Sequence, residues 1–435
     1  MMHRKIESEV IFGDSISSDI STVFSSGDAF PISGQLPSGV RKGLFFNQDC
    51  LSKHLLLIGG IGTGKTNTMF HLVSQIGKRL TDNDVALIFD TKGDFVKEFY
   101  QDGDIVISND AEISLPKNNS WNIFSEIERG SGMMESINEI SRMLFAEACE
   151  RTQQIFFPAA ARDIFSAILY HFLQMPEESN VLSNEVLLWY INKTTTKEIR
   201  EMLNHYPQFK AMTSYISNDE SPQTQGVLSE LQQVVRQIFI GNFAKKGNIG
   251  IRDLIHKKGG KRIFIEYDLS VGKTLTPIYS LLFDLAIKEV LGRKRSEGNT
   301  YFVTDEFRLL PNLEHIDDAV NFGRSLGVKF LIGIQNVEQI YDIYGEERAR
   351  SILSGLSTII AFRVNDGKSR EYIKDVFGKN VQLFRYQATI ATNGLQEQYR
   401  DGNVVEDWDI TRLEIGEAIV GFPGQAPFKF KFALY

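Results

Sequence analysis

Gly59, Gly64, Lys65 and Thr66 stand in the order G-x-x-x-x-G-K-[ST] within the segment LLLIGGIGTGKT. These types at this spacing suit the phosphates of a nucleotide. Glycines let successive backbone N–H groups turn inward around phosphate oxygens, and the start of a following helix adds a positive dipole end. The Lys65 ammonium can then reach the β- and γ-phosphates, and the Thr66 hydroxyl can ligate Mg²⁺. The expected phosphate cradle runs through Gly59, Gly60, Ile61, Gly62, Thr63, Gly64, Lys65, Thr66 and Asn67, with ATP and Mg²⁺ as the cofactors. The alternative is a glycine-rich turn between strand and helix that binds nothing.

Further along, the hydrophobic run YFVTDEF closes on Asp305 and Glu306. There Asp305 can hold the Mg²⁺ complex, and Glu306 can orient or deprotonate an attacking water. Acids at strand ends are common, so this pair takes its meaning from the P-loop upstream. Gln335 follows the apolar run VKFLIGI and can sense a γ-phosphate or hold the water, or it is an ordinary turn residue. Asp90, Lys92 and Asp94 follow VALIF in the same manner. Ligands of open α/β sheets bind at the carboxyl ends of strands, which makes these three site candidates, although Asp94 equally suits a helix N-cap.

Each of these residues needs an element to carry it. Leu55 to Ile58 predicts a buried strand entering the P-loop, and Met69, Phe70, Val73 and Ile76 recur behind it at helical spacing. Val85 to Asp90, Arg262 to Tyr267, Val328 to Gly333 and Thr358 to Val364 predict further buried strands, with helices over Pro277 to Leu291 and from Ser369 onward. Between Ile127 and Phe243 the period changes to helical: Ile137, Ile140, Met143 and Leu144, then Ile155 to Phe172, Val181 to Ile191, and Gly226 to Phe239. The pattern predicts an α/β protein with a mainly parallel sheet and an inserted all-α domain. Residues 1–130 form a β-rich lead-in and the first part of the nucleotide-binding domain, 131–247 the insert, and 248–435 the second part. The tail from Val404 is expected to be β-rich and turn-rich, with EDWDI, GEAIVGF and FKFKFALY its clearest segments.

Composition narrows the classes. A chain of 435 residues with 42% hydrophobic content can bury a sizeable core. Cys50 and Cys149 lie far apart and form no C-x-x-C pair, which points away from a disulfide scaffold or a cysteine-based zinc site and fits a reducing cytoplasm. No run approaches the roughly 18 apolar residues of a spanning helix, and MMHRKIESEV lacks the apolar core of a signal peptide. With a net charge of −8, any nucleic-acid contact must come from local patches. Lys245-Lys246, Lys257-Lys258, Lys261-Arg262 and Arg293-Lys294-Arg295 either contact phosphates or are solvated loops. No aromatic residues are interleaved with them in the manner of a single-strand groove.

GGIGTGKT, DTKGDF, WNIF, FFPAAARDIFSAIL, YFVTDEF, GRSLGVKFLIGIQ, FRVNDGKSREYIKDVFG and VVEDWDITRLEIGEAIV occur in this order from about residue 40 to the end. The collinear set resembles the coupling-protein ATPases of bacterial conjugation and type IV secretion. The resemblance implies a RecA-like P-loop NTPase with an inserted all-α domain, assembled as a homo-hexameric ring that drives single-stranded DNA through its pore by ATP hydrolysis. It also implies a trans-acting arginine finger at Arg324 in GRSLG and a sensor glutamine at Gln335. Arg324 has no distinctive local pattern and otherwise reads as a solvated helix residue. Secretion, relaxosome or defence-system proteins are the implied partners. Typical members begin with transmembrane helices, whereas here the P-loop starts after 58 residues with no intrinsic membrane span before it. The expectation is therefore a cytoplasmic protein, at most recruited peripherally to the membrane, or a relative used in mobile-element maintenance or defence, akin to ring motors of the FtsK and HerA kind. From a different class, a P-loop ATPase that switches or assembles proteins without nucleic acid remains open.

Overall fold

The computed structural model describes residues 4–18, 20, 29–110, 112–113, 120–175, 182–294, 297–387 and 395–435. Val181 and Arg295, which the sequence reading placed in a helix and a basic cluster, lie outside the described residues. Strands are numbered along the chain as β1 (Arg4–Phe12), β2 (Phe30–Gln35), β3 (Arg41–Phe46), β4 (Leu55–Ile58), β5 (Val85–Asp90), β6 (Ile105–Ile107), β7 (Lys261–Glu266), β8 (Thr300–Thr304), β9 (Val328–Ile334), β10 (Thr358–Ala361), β11 (Lys379–Gln387), β12 (Leu395–Asn403), β13 (Glu417–Gly421) and β14 (Phe428–Phe432). The chain divides into two compact units, Met1–Arg79 with Phe302–Arg308 and Val320–Tyr435, and Leu80–Tyr301 with Leu309–Ala319.

In the first unit, β4 (LLLI) and β9 (VKFLIGI) are buried at every position. Continuous apolar runs of this kind belong to parallel strands covered on both faces. β4 pairs in parallel with β9, Leu55 opposite Leu331 and Ile58 opposite Ile334, and on its other side with β10, Ile58 opposite Ala361. This register brings the residues that follow Ile58 and Ile334, the P-loop and Gln335, to the same edge of the sheet. Beyond β10 the sheet turns antiparallel through β13, β14, β2 and β3. β14 shows the period of a half-buried strand, with Phe428, Phe430 and Phe432 inward and Lys429 and Lys431 paired with Asp409 and Glu414. The expected RecA-like α/β architecture is thus a parallel centre carrying an antiparallel extension.

Two features of this unit depart from the expectation. EDWDI is not a strand, because Asp407–Thr411 is a short helix closed by a reciprocal capping box between Glu406 and Asp409. β1, in the lead-in expected to be β-rich, pairs with β11 and β12 in a separate antiparallel three-stranded sheet, and the polar sequence of β12, including RDGN, concealed that pair.

The second unit has its own parallel strands in the order β5, β7, β6, with Asp90 opposite Glu266. Between β6 and β7 the described residues form helices and 3₁₀ turns, apart from one isolated bridge between Trp121 and Ile249. Helix Met133–Glu150 buries Ile137, Ile140, Met143 and Leu144, the stripe read from the sequence. It packs against Phe156–Gln174, which packs in turn on Pro222–Ile238. The two ends of this helical stretch meet. Asn122 N–H donates to Ile249 O at 2.9 Å, and Ile249 N–H donates to Ser120 O at 3.0 Å. Beneath the junction lies the fully buried Glu126, whose carboxylate accepts from Trp121 Nε1 (2.8 Å) and the Ile251 N–H (2.6 Å). Burial pushes the Glu126 carboxyl up to about 7 against the pull of these donors. The following helix, Gly272–Leu291, starts five residues ahead of the expected Pro277. Pro277 cannot donate a backbone bond one turn back, and Thr276 Oγ1 donates to Gly272 O at 3.1 Å in the same turn.

Candidate nucleotide-binding site

The P-loop emerges from β4 and ends at helix Lys65–Gly77, whose Met69, Leu72, Val73 and Ile76 face the core. Gly64 caps this helix with φ 118°, a conformation that L side chains rarely adopt. A Cβ there would also stand 3.0 Å from Gly416 Cα, and Gly416 N–H donates to Thr63 O at 2.8 Å. Ile61 forms an exposed crest, 85% accessible, beside the exposed Gly62. Gly59 N–H is held by Ile334 O at 3.2 Å, and Gly60 N–H by Arg363 O at 2.9 Å. The loop is therefore fixed by its flanking strands.

Lys65 is buried and folds back over the loop, its Nζ donating to Gly59 O at 2.5 Å and Gly60 O at 3.2 Å. An ammonium inside a ring of glycines is placed to exchange these carbonyls for phosphate oxygens. The Thr66 Oγ1 donates to Asp305 Oδ2 at 2.5 Å. A hydroxyl and a carboxylate that touch across 239 positions of sequence are the two groups that Mg²⁺ would draw into one coordination shell. Asp305 follows β8, and the loop carrying it presses on β9 where Gly333 has no side chain. A Cβ at Gly333 would lie 2.5 Å from Asp305 O.

Glu306 is held from two sides. Gln335 Nε2 donates to its Oε2 at 2.7 Å, and Arg308 Nε donates to its Oε1 at 2.8 Å. The structure thus brings Gln335 to the acidic pair. Arg308 was not singled out from the sequence; its only signal is its place two residues after Glu306, on the 3₁₀ turn Phe307–Leu309.

The other candidates have different partners. The Asn67 side chain donates to Ala433 O (2.8 Å) and accepts from the Tyr435 N–H (2.8 Å), tying the end of β14 to the P-loop helix. Arg324, on the turn Gly323–Leu326, is half-exposed and pairs with Asp49 at 2.7 Å. Asp49 also pairs with Lys53 at 2.8 Å, and these two cations hold its carboxyl below the usual range. Asp90, in the second unit, is buried, and burial raises its carboxyl. Its oxygens accept from the Lys92 N–H (3.2 Å) and the Val96 N–H (2.8 Å), so it caps helix Asp94–Phe99 in the role the sequence offered to Asp94.

Several basic residues flagged in the sequence serve the second unit itself. Lys258 is buried and donates to the carbonyl oxygens of Asn83 and Glu297, and burial lowers its ammonium to about 8. Arg262 pairs with Asp104 at 2.9 Å, Lys257 with Asp253 at 2.6 Å, and Arg293 donates to Ile255 O at 2.9 Å. Of the described members, Lys245, Lys246, Lys257, Lys261 and Lys294 are exposed. Among the described residues no helix is long and apolar enough to cross a membrane.

Known proteins share this architecture. The chain is similar to the coupling protein TraD of Escherichia coli, 23% identical over 394 residues that make up 87% of this chain and 52% of TraD. It thus spans about half the length of that curated relative. Its fold matches the unbound bacterial conjugative coupling protein TrwB with a TM-score of 0.75 at 19% identity, covering 99% of this chain and 94% of the other. The plasmid coupling protein TrwB in complex with ADP and Mg²⁺ matches with a TM-score of 0.74 at 18% identity, over 99% and 95% of the two chains. The model of the type IV secretion-system coupling protein DNA-binding domain matches residues 42–431, nearly the whole length, and the chain belongs to that family.

Proposed function

We propose that this chain binds ATP with Mg²⁺ at its P-loop, hydrolyses it, and uses the cycle to move DNA, in single-stranded form, through a homo-hexameric ring. The observation that carries the nucleotide part is the contact between Thr66 and Asp305, with Lys65 folded over the glycine carbonyls beside it. In this reading Thr66 and Asp305 hold Mg²⁺, Lys65 binds the β/γ-phosphates, Glu306 activates water, Gln335 senses the γ-phosphate, and Arg324 serves the neighbouring subunit's site. The DNA part rests on family membership and on the TrwB and TraD likenesses. A cytoplasmic protein recruited peripherally to a secretion, relaxosome or defence assembly fits the same reading.

The internal pairing of Lys258, Arg262 and Arg293 favours the second reading, an ATPase switch without nucleic acid. One assay separates the two. ATP turnover measured alone, with single-stranded DNA and with duplex DNA should rise severalfold with DNA, most with single strands, and the gain should fall as salt is raised. Turnover indifferent to both DNAs, together with no DNA binding at low salt, would leave the switch reading.

We further propose that residues 131–247 are an insertion between the two parts of the nucleotide-binding domain, 1–130 and 248–435. Its closure at the Ser120–Asn122 and Ile249 junction supports this, since chain ends that meet can be rejoined by a short linker. Excising 131–247 should leave ATP binding intact, because Lys65, Thr66, Asp305 and Glu306 lie in the first compact unit. Thermal stability should drop, because helix Gly272–Leu291 packs on Met133–Glu150 and Pro222–Ile238 and would lose both. An excised chain that melts cooperatively yet binds no ATP would show that the helices belong to the nucleotide-binding fold.

A further inference from the structure

Glu139, Asp284 and His315 converge in the second unit, far from the P-loop in sequence, and offer ligand atoms all within 4.8 Å of one another. Glu139 lies on helix Met133–Glu150, Asp284 on helix Gly272–Leu291, and His315 one residue ahead of helix Ile316–Phe322. Asp284 is fully buried and fixes the histidine twice. Its Oδ1 accepts the His315 backbone N–H at 2.9 Å, and its Oδ2 takes the ring Nδ1 at 2.7 Å. With Nδ1 carrying the proton toward Asp284, the lone pair of Nε2 is turned to the other side.

On that side stands Glu139 Oε1, 3.7 Å from Nε2. Glu139 is 4% accessible, and among the described residues this oxygen has no hydrogen-bond partner. Its other oxygen is taken by Lys288 Nζ at 2.5 Å, which leaves Oε1 to act as a single donor. A buried carboxylate oxygen without a partner is costly, so a positive group has to face it: either a proton on His315 Nε2, which the surrounding acids favour, or a bound metal ion. Ligands about 2.0–2.2 Å from a tetrahedral Zn²⁺ stand about 3.4 Å apart, a few tenths less than the gap between Oε1 and Nε2. The histidine is the more open member, with 23% of its side chain accessible, so water can fill the remaining positions.

We propose that His315 Nε2 and Glu139 Oε1 bind one zinc-class divalent ion, with Asp284 as the positioning residue that sets the histidine tautomer. Nitrogen with a carboxylate oxygen suits zinc, whereas Mg²⁺ demands an octahedron of oxygens. The pairing of Asp284 with the far ring nitrogen is the arrangement that orients and strengthens a ligating histidine. The ion would join two helices to the segment 309–319.

Zn²⁺ alone is the probe, titrated into chelator-stripped full-length chain and read by calorimetry and by competition with a chromophoric chelator. One ion per chain is expected at this site. Glu139→Gln and His315→Gln should each weaken it at least 10-fold, and Asp284→Asn by about 10- to 100-fold. X-ray absorption of the loaded chain should show a nitrogen and oxygen shell near 2.0–2.1 Å. Glu139→Gln keeps the size of the side chain, and circular dichroism checks that each variant is folded. A wild-type chain that takes up no Zn²⁺, or folded variants that bind it as tightly as wild type, would overturn the proposal and leave the three residues as an ion-pair network.

Discussion

Lys65→Ala should abolish ATP hydrolysis, and Glu306→Gln should stop turnover while leaving ATP bound. The two variants remove different things. Among the described residues Lys65 is the buried cation that reaches into the glycine loop, and without it the negative charge of the β- and γ-phosphates meets backbone dipoles. The variant should therefore bind ATP poorly as well as turn it over poorly. Its loss also strips Gly59 O and Gly60 O of a donor, at about 1–3 kcal/mol of stability, so melting must be followed alongside activity. Glu306→Gln keeps the shape of the side chain but not its basicity. Removing a general base typically costs roughly 10²- to 10⁴-fold in turnover, and binding of a fluorescent ATP analogue should stay near wild type. Wild-type hydrolysis by the Glu306 variant would remove that residue from the mechanism and leave its contacts with Gln335 and Arg308 as structure only.

Arg324→Ala should be inactive by itself and recover activity when mixed with the Lys65 variant. An arginine that stabilises charge on the transferring phosphoryl group is worth roughly 10³ to 10⁵ in turnover in well-studied switch proteins. Among the described residues Arg324 pairs with the half-exposed Asp49, and exposed pairs contribute about 0.2–1 kcal/mol. The substitution should therefore barely move the melting temperature. If the guanidinium acts in trans, an interface that takes its P-loop from the Arg324 variant and its arginine from the Lys65 variant has both groups intact. Recovery should depend on protein concentration, since it requires assembly. Native mass spectra that show mixed oligomers without recovered turnover would place Arg324 inside its own subunit or among ordinary surface residues.

The parts of the fold that were legible in the sequence are those in which one local rule dominates. β4, β5 and β9 are buried on both faces, so each reads as an unbroken apolar run, and helices such as Met133–Glu150 and Pro222–Ile238 repeat an apolar stripe at helical spacing, whereas the short helix Thr196–His205 did not show in the sequence. Misreadings arose where local and non-local effects compete. EDWDI carries apolar residues in near alternation, yet the reciprocal bonds of Glu406 and Asp409 make a helical turn of it. β1 falls in the lead-in read as β-rich, but β11 and β12 did not show in the sequence: their strands are largely polar, and β1 joins them through pairing across long separations in the chain.

The residue types that can do phosphate chemistry, and their order along the chain, were determined by sequence alone, because a P-loop is a contiguous turn whose glycines, lysine and threonine act through local backbone geometry. What only the tertiary structure decided is which distant groups meet them. The parallel register of β4 with β9 sets Gln335 level with the P-loop, and the close approach allowed by Gly333 seats the Asp305 loop. The same holds for charges that look alike in sequence. Lys245 stays exposed while Lys258 is drawn inward by two carbonyls, and Asp90 caps a helix while Asp305 meets a threonine. Burial and partner are properties of packing between segments far apart in the chain, and no pattern within a single segment encodes them.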